Sequence, residues 1–222
     1  MKKRNEAIVK IACCQMEPIV GEKERNIRRS SEMIEEAAKE GANLIVLPEL
    51  CNSGYVFDTR REAFDLSESV PEGDTCQEWM KLASKFNIHI AAGINERAED
   101  LLYNSSVIIG PKGHVGTFRK VHLWNEENLF FEPGNLGFPV FKTPIGRISS
   151  HICYDSWFPE SYRLATLQGA DIVCVCTNWV PIPGQDKTRE AMANILVMGA
   201  AHVNSVFIAA ADRVGTERGQ PF

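Results

Sequence analysis

The sequence predicts an α/β layered domain built on a mixed sheet. Three observations carry that expectation. Short apolar runs recur along the whole chain. Helical segments ending in glycine alternate with them. Two pairs of runs are joined by tight turns rather than by crossover helices.

Taken in order, Ile8 to Met16 reads as a buried strand. Glu24 to Glu40 reads as a helix with Ile27, Ile34, Ala37 and Ala38 on its apolar face and Gly41 as its stop. Leu44 to Leu47 is a four-residue strand running into Pro48-Glu49. Asp74-Thr75-Cys76-Gln77 has the form of a capping box, opening a helix to about Phe86, with a strand from Ile88 to Ile94 behind it. Tyr103 to Ile109 and His114 to Arg119 flank Gly110-Pro111-Lys112-Gly113, which gives a hairpin. A polar loop from about His122 to Phe138 follows. Pro139 to Thr143 and Arg147 to Cys153 are strands around Pro144-Ile145-Gly146. A helix opens at Pro159, where a first-turn proline costs nothing, and closes at Gln168-Gly169. Ile172 to Cys176, a long helix over Thr188 to Asn204 and a strand over Val206 to Ala211 complete the pattern. Gly215 to Phe222 reads as loop, with no closing element. Residues 1–222 form a single domain in this reading, with no linker and no repeat.

Composition excludes several classes. The 222 residues carry a net charge of −5, and the single basic cluster is Lys2-Lys3-Arg4, so a nucleic-acid partner is not expected. Asn5 and Glu6 interrupt any signal-like apolar segment, and no run approaches the roughly 18 apolar residues of a membrane span. Seven cysteines, an odd number, point to reduced thiols and a cytoplasmic location. Cys13, Cys14, Cys174 and Cys176 sit in strand runs and read as core residues, and no metal-ligand spacing is present. Cys51, in the loop after Glu49, reads the same way.

Three strands end in a reactive side chain: Glu49, Lys120 and Cys153. Sites in α/β sheets form outside the carboxyl ends of strands, so the three could converge. The combination is chemically coherent. A thiolate attacks an electrophilic carbon, a carboxylate moves protons, and an ammonium with a backbone N–H such as that of Tyr154 steadies an oxyanion. Taken singly, each residue has a plain structural reading: a packed thiol, a solvated acid, a surface lysine.

The words around them are more specific. Leu47-Pro48-Glu49-Leu50 with Ser53-Gly54-Tyr55, then Arg119-Lys120-Val121-His122-Leu123, then Ile152-Cys153-Tyr154-Asp155 with Phe158-Pro159-Glu160, resembles the nitrilase superfamily of carbon–nitrogen hydrolases. The motifs stand in the family's order, and the resemblance runs from the first strand to Arg213-Val214-Gly215. It implies a four-layer αββα sandwich with Glu49 as general base and acid, Lys120 as stabiliser of the intermediate and Cys153 as nucleophile. Glu127, before Phe131-Glu132-Pro133-Gly134, matches a second glutamate that many members carry. Cys153-Tyr154-Asp155 is closer to the amide-cleaving branches than to true nitrilases, so an amide or carbamoyl substrate is expected, with nitrile hydrolysis as the alternative. A non-catalytic scaffold role and a redox or metal-thiolate role stand further behind.

Family members continue past Gly219-Gln220-Pro221-Phe222 with further strands, so a sandwich lacking them is expected here. No metal or organic cofactor is expected. The partners implied are a small molecule and further copies of the chain, as a homodimer or larger homo-oligomer, with no nucleic acid and no membrane. Tyr55, Asn178 and Trp179 are candidates to line the pocket, which should be small. Asp155 is expected to cap the following helix or hold the nucleophile loop. His151 shares a strand face with Cys153, but is expected to be a hydrogen-bonded core histidine.

Overall fold

The structure, a computed structural model, describes residues 8–182, 184 and 190–222. Its first sheet takes β1 (Ile11–Cys13), β2 (Leu44–Val46), β3 (His89–Ala98), β4 (Leu101–Gly110) and β5 (Gly113–Arg119) in that spatial order. β1, β2 and β3 run parallel, and β4 and β5 add an antiparallel edge. The second sheet has β6 (Val140–Thr143), β7 (Gly146–Ile152), β8 (Ile172–Thr177) and β9 (Phe207–Asp212), antiparallel at β6–β7 and parallel beyond.

Alternation of side chains builds the layers. Leu44, Val46, Ala91 and Ile108 face Ile148, Ile172, Cys174, Cys176, Ala209 and Ala211 between the sheets. The residues in between point outward. Ile45, Ile90 and Val107 meet α1 (Lys23–Lys39) and α3 (Asp74–Phe86) through Ile34, Trp79 and Leu82. Val173 and Val175 meet α4 (Pro159–Leu167) and α5 (Met192–Asn204) through Tyr162, Ala165 and Ala200. The result is helix, sheet, sheet, helix: the αββα sandwich.

Local details depart from expectation in physically clear ways. α3 begins at Asp74, but no side chain of its own first turn caps it. The capping box gives way to Glu68, whose Oε2 accepts the Thr75 N–H at 3.0 Å. A short helix α2 (Arg60–Asp65), capped by Thr59, has no apolar period long enough to read. α5 begins at Met192; residues 188 and 189 lie outside the described set, and 190 and 191 are not helical. The final segment is not plain loop: β10 (Thr216–Glu217) pairs with β11 (Gln220–Pro221) as a small hairpin. Cys14, Cys174 and Cys176 are buried as expected, but Cys13 on edge strand β1 is exposed. Among the described residues no helix is long and apolar enough to cross a membrane.

Candidate active site

Five strands, β2, β4, β5, β7 and β8, deliver side chains to one end of the sandwich. Past β2 the chain keeps bonding to β3: Leu47 N–H to the Ala91 carbonyl at 2.9 Å, and Gly93 N–H to the Pro48 carbonyl at 3.0 Å. Glu49 is therefore held against β3, and only glycine fits opposite it. A Cβ on Gly93 would lie 2.4 Å from the Glu49 Cα. Lys120 leaves β5 with its N–H bonded to the Asn104 carbonyl at 2.8 Å, and its own carbonyl accepts from Gly134 at 2.8 Å. A Cβ on Gly134 would come within 2.0 Å of the Arg119 carbonyl oxygen, so the Pro133-Gly134 turn is what lets this loop close on the lysine segment.

Cys153 follows β7 at φ +41°, a left-handed conformation that costs a non-glycine residue about 1–2 kcal/mol. It opens a 3₁₀ turn, Cys153–Trp157. Its carbonyl is held by the Ser156 hydroxyl at 2.5 Å and the Trp179 indole N–H at 3.4 Å. Strain of this kind, held in place by neighbours, is common where a side chain must project from a sharp turn.

The charged groups meet in a buried network. The Lys120 ammonium donates to Glu49 Oε1 at 2.7 Å and to Glu127 Oε1 at 2.6 Å, and all three side chains are at most 3 % exposed. Glu127 is saturated. Its Oε1 also accepts from the Tyr55 hydroxyl at 2.7 Å, and its Oε2 accepts the Trp124 N–H at 3.0 Å. Glu49 is not. Asn104 donates to its Oε1 at 2.6 Å, while its buried Oε2 meets no partner among the described residues. The two carboxylates share one cation but differ in spare capacity.

The electrostatics follow. Burial, with Glu127 nearby, pushes the Glu49 carboxyl up to about 7 against the opposing pull of Lys120. Burial works against the Lys120 charge, but Glu127 and Glu49 outweigh it and hold the ammonium above its ordinary range. Burial and the Glu49 carboxylate push the Cys153 thiol well up, and Lys120 opposes them. Cys153 thus lies within the field of Glu49, Lys120 and Glu127. At rest the thiol keeps its proton, and a base that titrates near neutrality acts on it electrostatically.

A cavity of about 240 Å³ opens over Cys153, walled by Trp124, Tyr154, Trp157, Asn178, Trp179 and Val180, with Pro181 and Ile182 at its edge. Asn178 and Trp179 therefore line it, as does Tyr154, whose ring stands edge-on to Trp124. Tyr55 sits differently. It lines a neighbouring cleft with Glu127 and Trp124 and is tied into the charged network. Asp155 Oδ1 accepts from the backbone N–H of His122 and bonds its ring Nδ1 at 2.7 Å, so it anchors the loop after Lys120 rather than capping α4 with its side chain. His151 is buried among Phe118, Phe138 and Tyr162, with burial holding its pKa down to about 3. Neither ring nitrogen finds a protein partner among the described residues, so the hydrogen-bonded core histidine expected from sequence is instead an apolar-packed one. Cys51 is buried, its thiol directed to the Gly93 carbonyl.

Sequence reasoning passed over Asn104, which holds Glu49, and Trp124 and Trp157, which wall the cavity. Asn104 left a readable trace. Asn104-Ser105-Ser106 interrupts an otherwise apolar strand, and all three prove fully buried.

The fold and site define a hydrolase of the nitrilase type. Residues 10–222 match the carbon–nitrogen hydrolase family, and the chain belongs to that family. It is 41 % identical over 216 residues to a nitrilase from Pyrococcus abyssi, covering 97 % of this chain and 79 % of that protein. It is 32 % identical to an N-carbamoylputrescine amidase from Oryza sativa subsp. japonica, covering 95 % of this chain and 70 % of that one. An amidase from Nesterenkonia sp. AN1, solved as a glutamate-to-glutamine mutant after Michael addition of acrylamide at its active-site cysteine, superposes with a TM-score of 0.81 at 23 % identity. That match covers 97 % of this chain and 82 % of the other, and it is a likeness of fold.

Proposed function

We propose that this hydrolase cleaves the carbon–nitrogen bond of a small amide or carbamoyl compound through a thioester on Cys153. The observation that carries the reading is the free, buried Oε2 of Glu49, bonded through its other oxygen to a locked ammonium, with a protonated thiol in the field of both. Glu49 takes the Cys153 proton as the sulfur attacks the carbonyl carbon. Lys120 and the Tyr154 backbone N–H stabilise the oxyanion. Collapse expels the amine, which takes the proton from Glu49, leaving the thioester. Glu49 then deprotonates a water molecule that attacks the thioester, the acid departs, and the thiol regains its proton from Glu49. Glu127 and Tyr55 keep Lys120 in place, and the aromatic walls seat the substrate's carbon skeleton.

Cys153-Tyr154-Asp155 supports amides over nitriles, and the cavity fits a small molecule. Nitrile hydrolysis is the second reading, favoured by the name of the Pyrococcus relative. Ammonia release from matched aliphatic amides, carbamoyl amines and nitriles separates the two. Release from amides or carbamoyl compounds supports the proposal, and release from nitriles alone overturns it. The free state of all seven cysteines fits a reducing, cytoplasmic setting. Leu164, Leu167, Met198 and Val203, exposed on α4 and α5, support self-association of residues 1–222 as a single-domain protomer.

A further inference from the structure

Asn178 presents an unusual local problem. Its side chain is 2 % exposed, yet neither Nδ2 nor Oδ1 meets a hydrogen-bond partner among the described residues. A buried primary amide left unpaired is costly, and folded proteins rarely tolerate one without a reason. The backbone on both sides is pinned. The Arg213 N–H donates to the Thr177 carbonyl at 3.1 Å, and the Trp179 N–H donates to Asp212 Oδ1 at 2.9 Å. Asn178 is thus held at the carboxyl end of β8, on the wall of the cavity that contains Cys153. The rest of that wall is mostly indole, phenol and aliphatic surface, and none of it bonds the amide.

We propose that Asn178 is the specificity residue that reads the substrate's reacting amide, an inference that rests on the thioester reading above. Its Oδ1 accepts an N–H and its Nδ2 donates to an oxygen. The group that answers both is an uncharged carboxamide or carbamoyl group. A carboxylate only accepts, an ammonium only donates, and an ester or a nitrile offers no N–H. With an ester or a nitrile, Oδ1 stays unpaired and buried, a penalty of roughly tenfold to a hundredfold in kcat/KM.

The test compares isobutyramide, methyl isobutyrate and isobutyronitrile on the wild-type enzyme, Asn178→Leu and Asn178→Ala, with thermal melts of each. Leucine keeps the volume and removes both unpaired polar atoms. Asn178→Leu is expected to melt at or above the wild-type temperature while the amide-to-ester ratio of kcat/KM falls at least about tenfold. Asn178→Ala is expected to show the same fall in ratio. An unchanged ratio, with wild-type amide turnover intact, overturns the role of Asn178 and leaves the thioester reading standing. A lower melting temperature for Asn178→Leu makes Asn178 a structural residue and overturns it too. Wild-type cleavage of the nitrile alone defeats both.

Discussion

Glu217 and Glu49 are both carboxylates buried beside a cation, and they are buried differently. Glu217 is 4 % exposed and uses both oxygens. Oε1 accepts from Val20 N–H at 3.0 Å. Oε2 accepts from Tyr55 and Val56 N–H, at 2.8 and 2.7 Å, and from the Arg213 guanidinium at 3.0 Å. Arg213 in turn reaches the Pro18 carbonyl at 2.9 Å and stacks on the Phe222 ring. Glu49 shares one oxygen between Lys120 and Asn104 and leaves the other bare. Both sites cost desolvation. The saturated one fastens the hairpin β10–β11 to the Tyr55 loop. The unsaturated one keeps a carboxyl that titrates near 7. A buried carboxylate with both oxygens engaged is a clasp, while one with an oxygen to spare can carry a proton.

The comparison is sharpest at the nucleophile. Replacing Cys153 with alanine is expected to lower kcat by about a thousandfold or more with little change in melting temperature, since alanine keeps the same backbone and loses only a neutral thiol that faces a cavity. Steady-state kinetics and a thermal melt check both halves. Glu217→Ala should do the opposite. It strands the fully buried Arg213 and costs about 3–5 kcal/mol of stability by urea unfolding, with a smaller loss of kcat in the fraction that stays folded.

Glu49 gives a test of sign. Its folded pKa lies above its ordinary value, so the folded protein holds that proton more tightly. The resulting stability is complete below about 4.5 and is lost as pH rises through about 7. Asp212, also raised to about 7 by burial, contributes with the same sign. Glu49→Gln is therefore expected to gain on the wild type as pH goes from 5 to 8, while the part due to Asp212 remains. A constant gap between the two unfolding curves would break the assignment. Tyr55→Phe removes one hydrogen bond to Glu127 Oε1 and leaves Lys120 there, so kcat should fall by about tenfold or less.

How much of this was legible in the sequence depends on the range of the interaction. The strands of both sheets could be read because apolar runs and alternation are local signals. Glu49, Lys120, Glu127 and Cys153 could be picked out because each sits in a specific motif, although Lys120 and Glu49 meet across 71 residues of chain. The small hairpin could not be read. What fixes it is Glu217 bonding to Tyr55, 162 residues away, and no periodicity records that. The capping of α3 by Glu68 failed in the same way: a cap supplied from outside the helix leaves no trace in the first-turn pattern. His151 misled because a strand position tells which face a ring occupies and not what it meets there.

The account turns on covalent chemistry at one sulfur, with Glu49 releasing it. Intact-protein mass spectrometry of the acid-quenched wild-type enzyme during turnover of isobutyramide or methyl isobutyrate, followed by peptide mapping, tests this directly. The expected result is an isobutyryl adduct on Cys153, with none on Cys153→Ala and none on Glu49→Gln, which lacks the base that takes the thiol proton. An adduct on another cysteine, or turnover by Glu49→Gln at the wild-type rate, would contradict it.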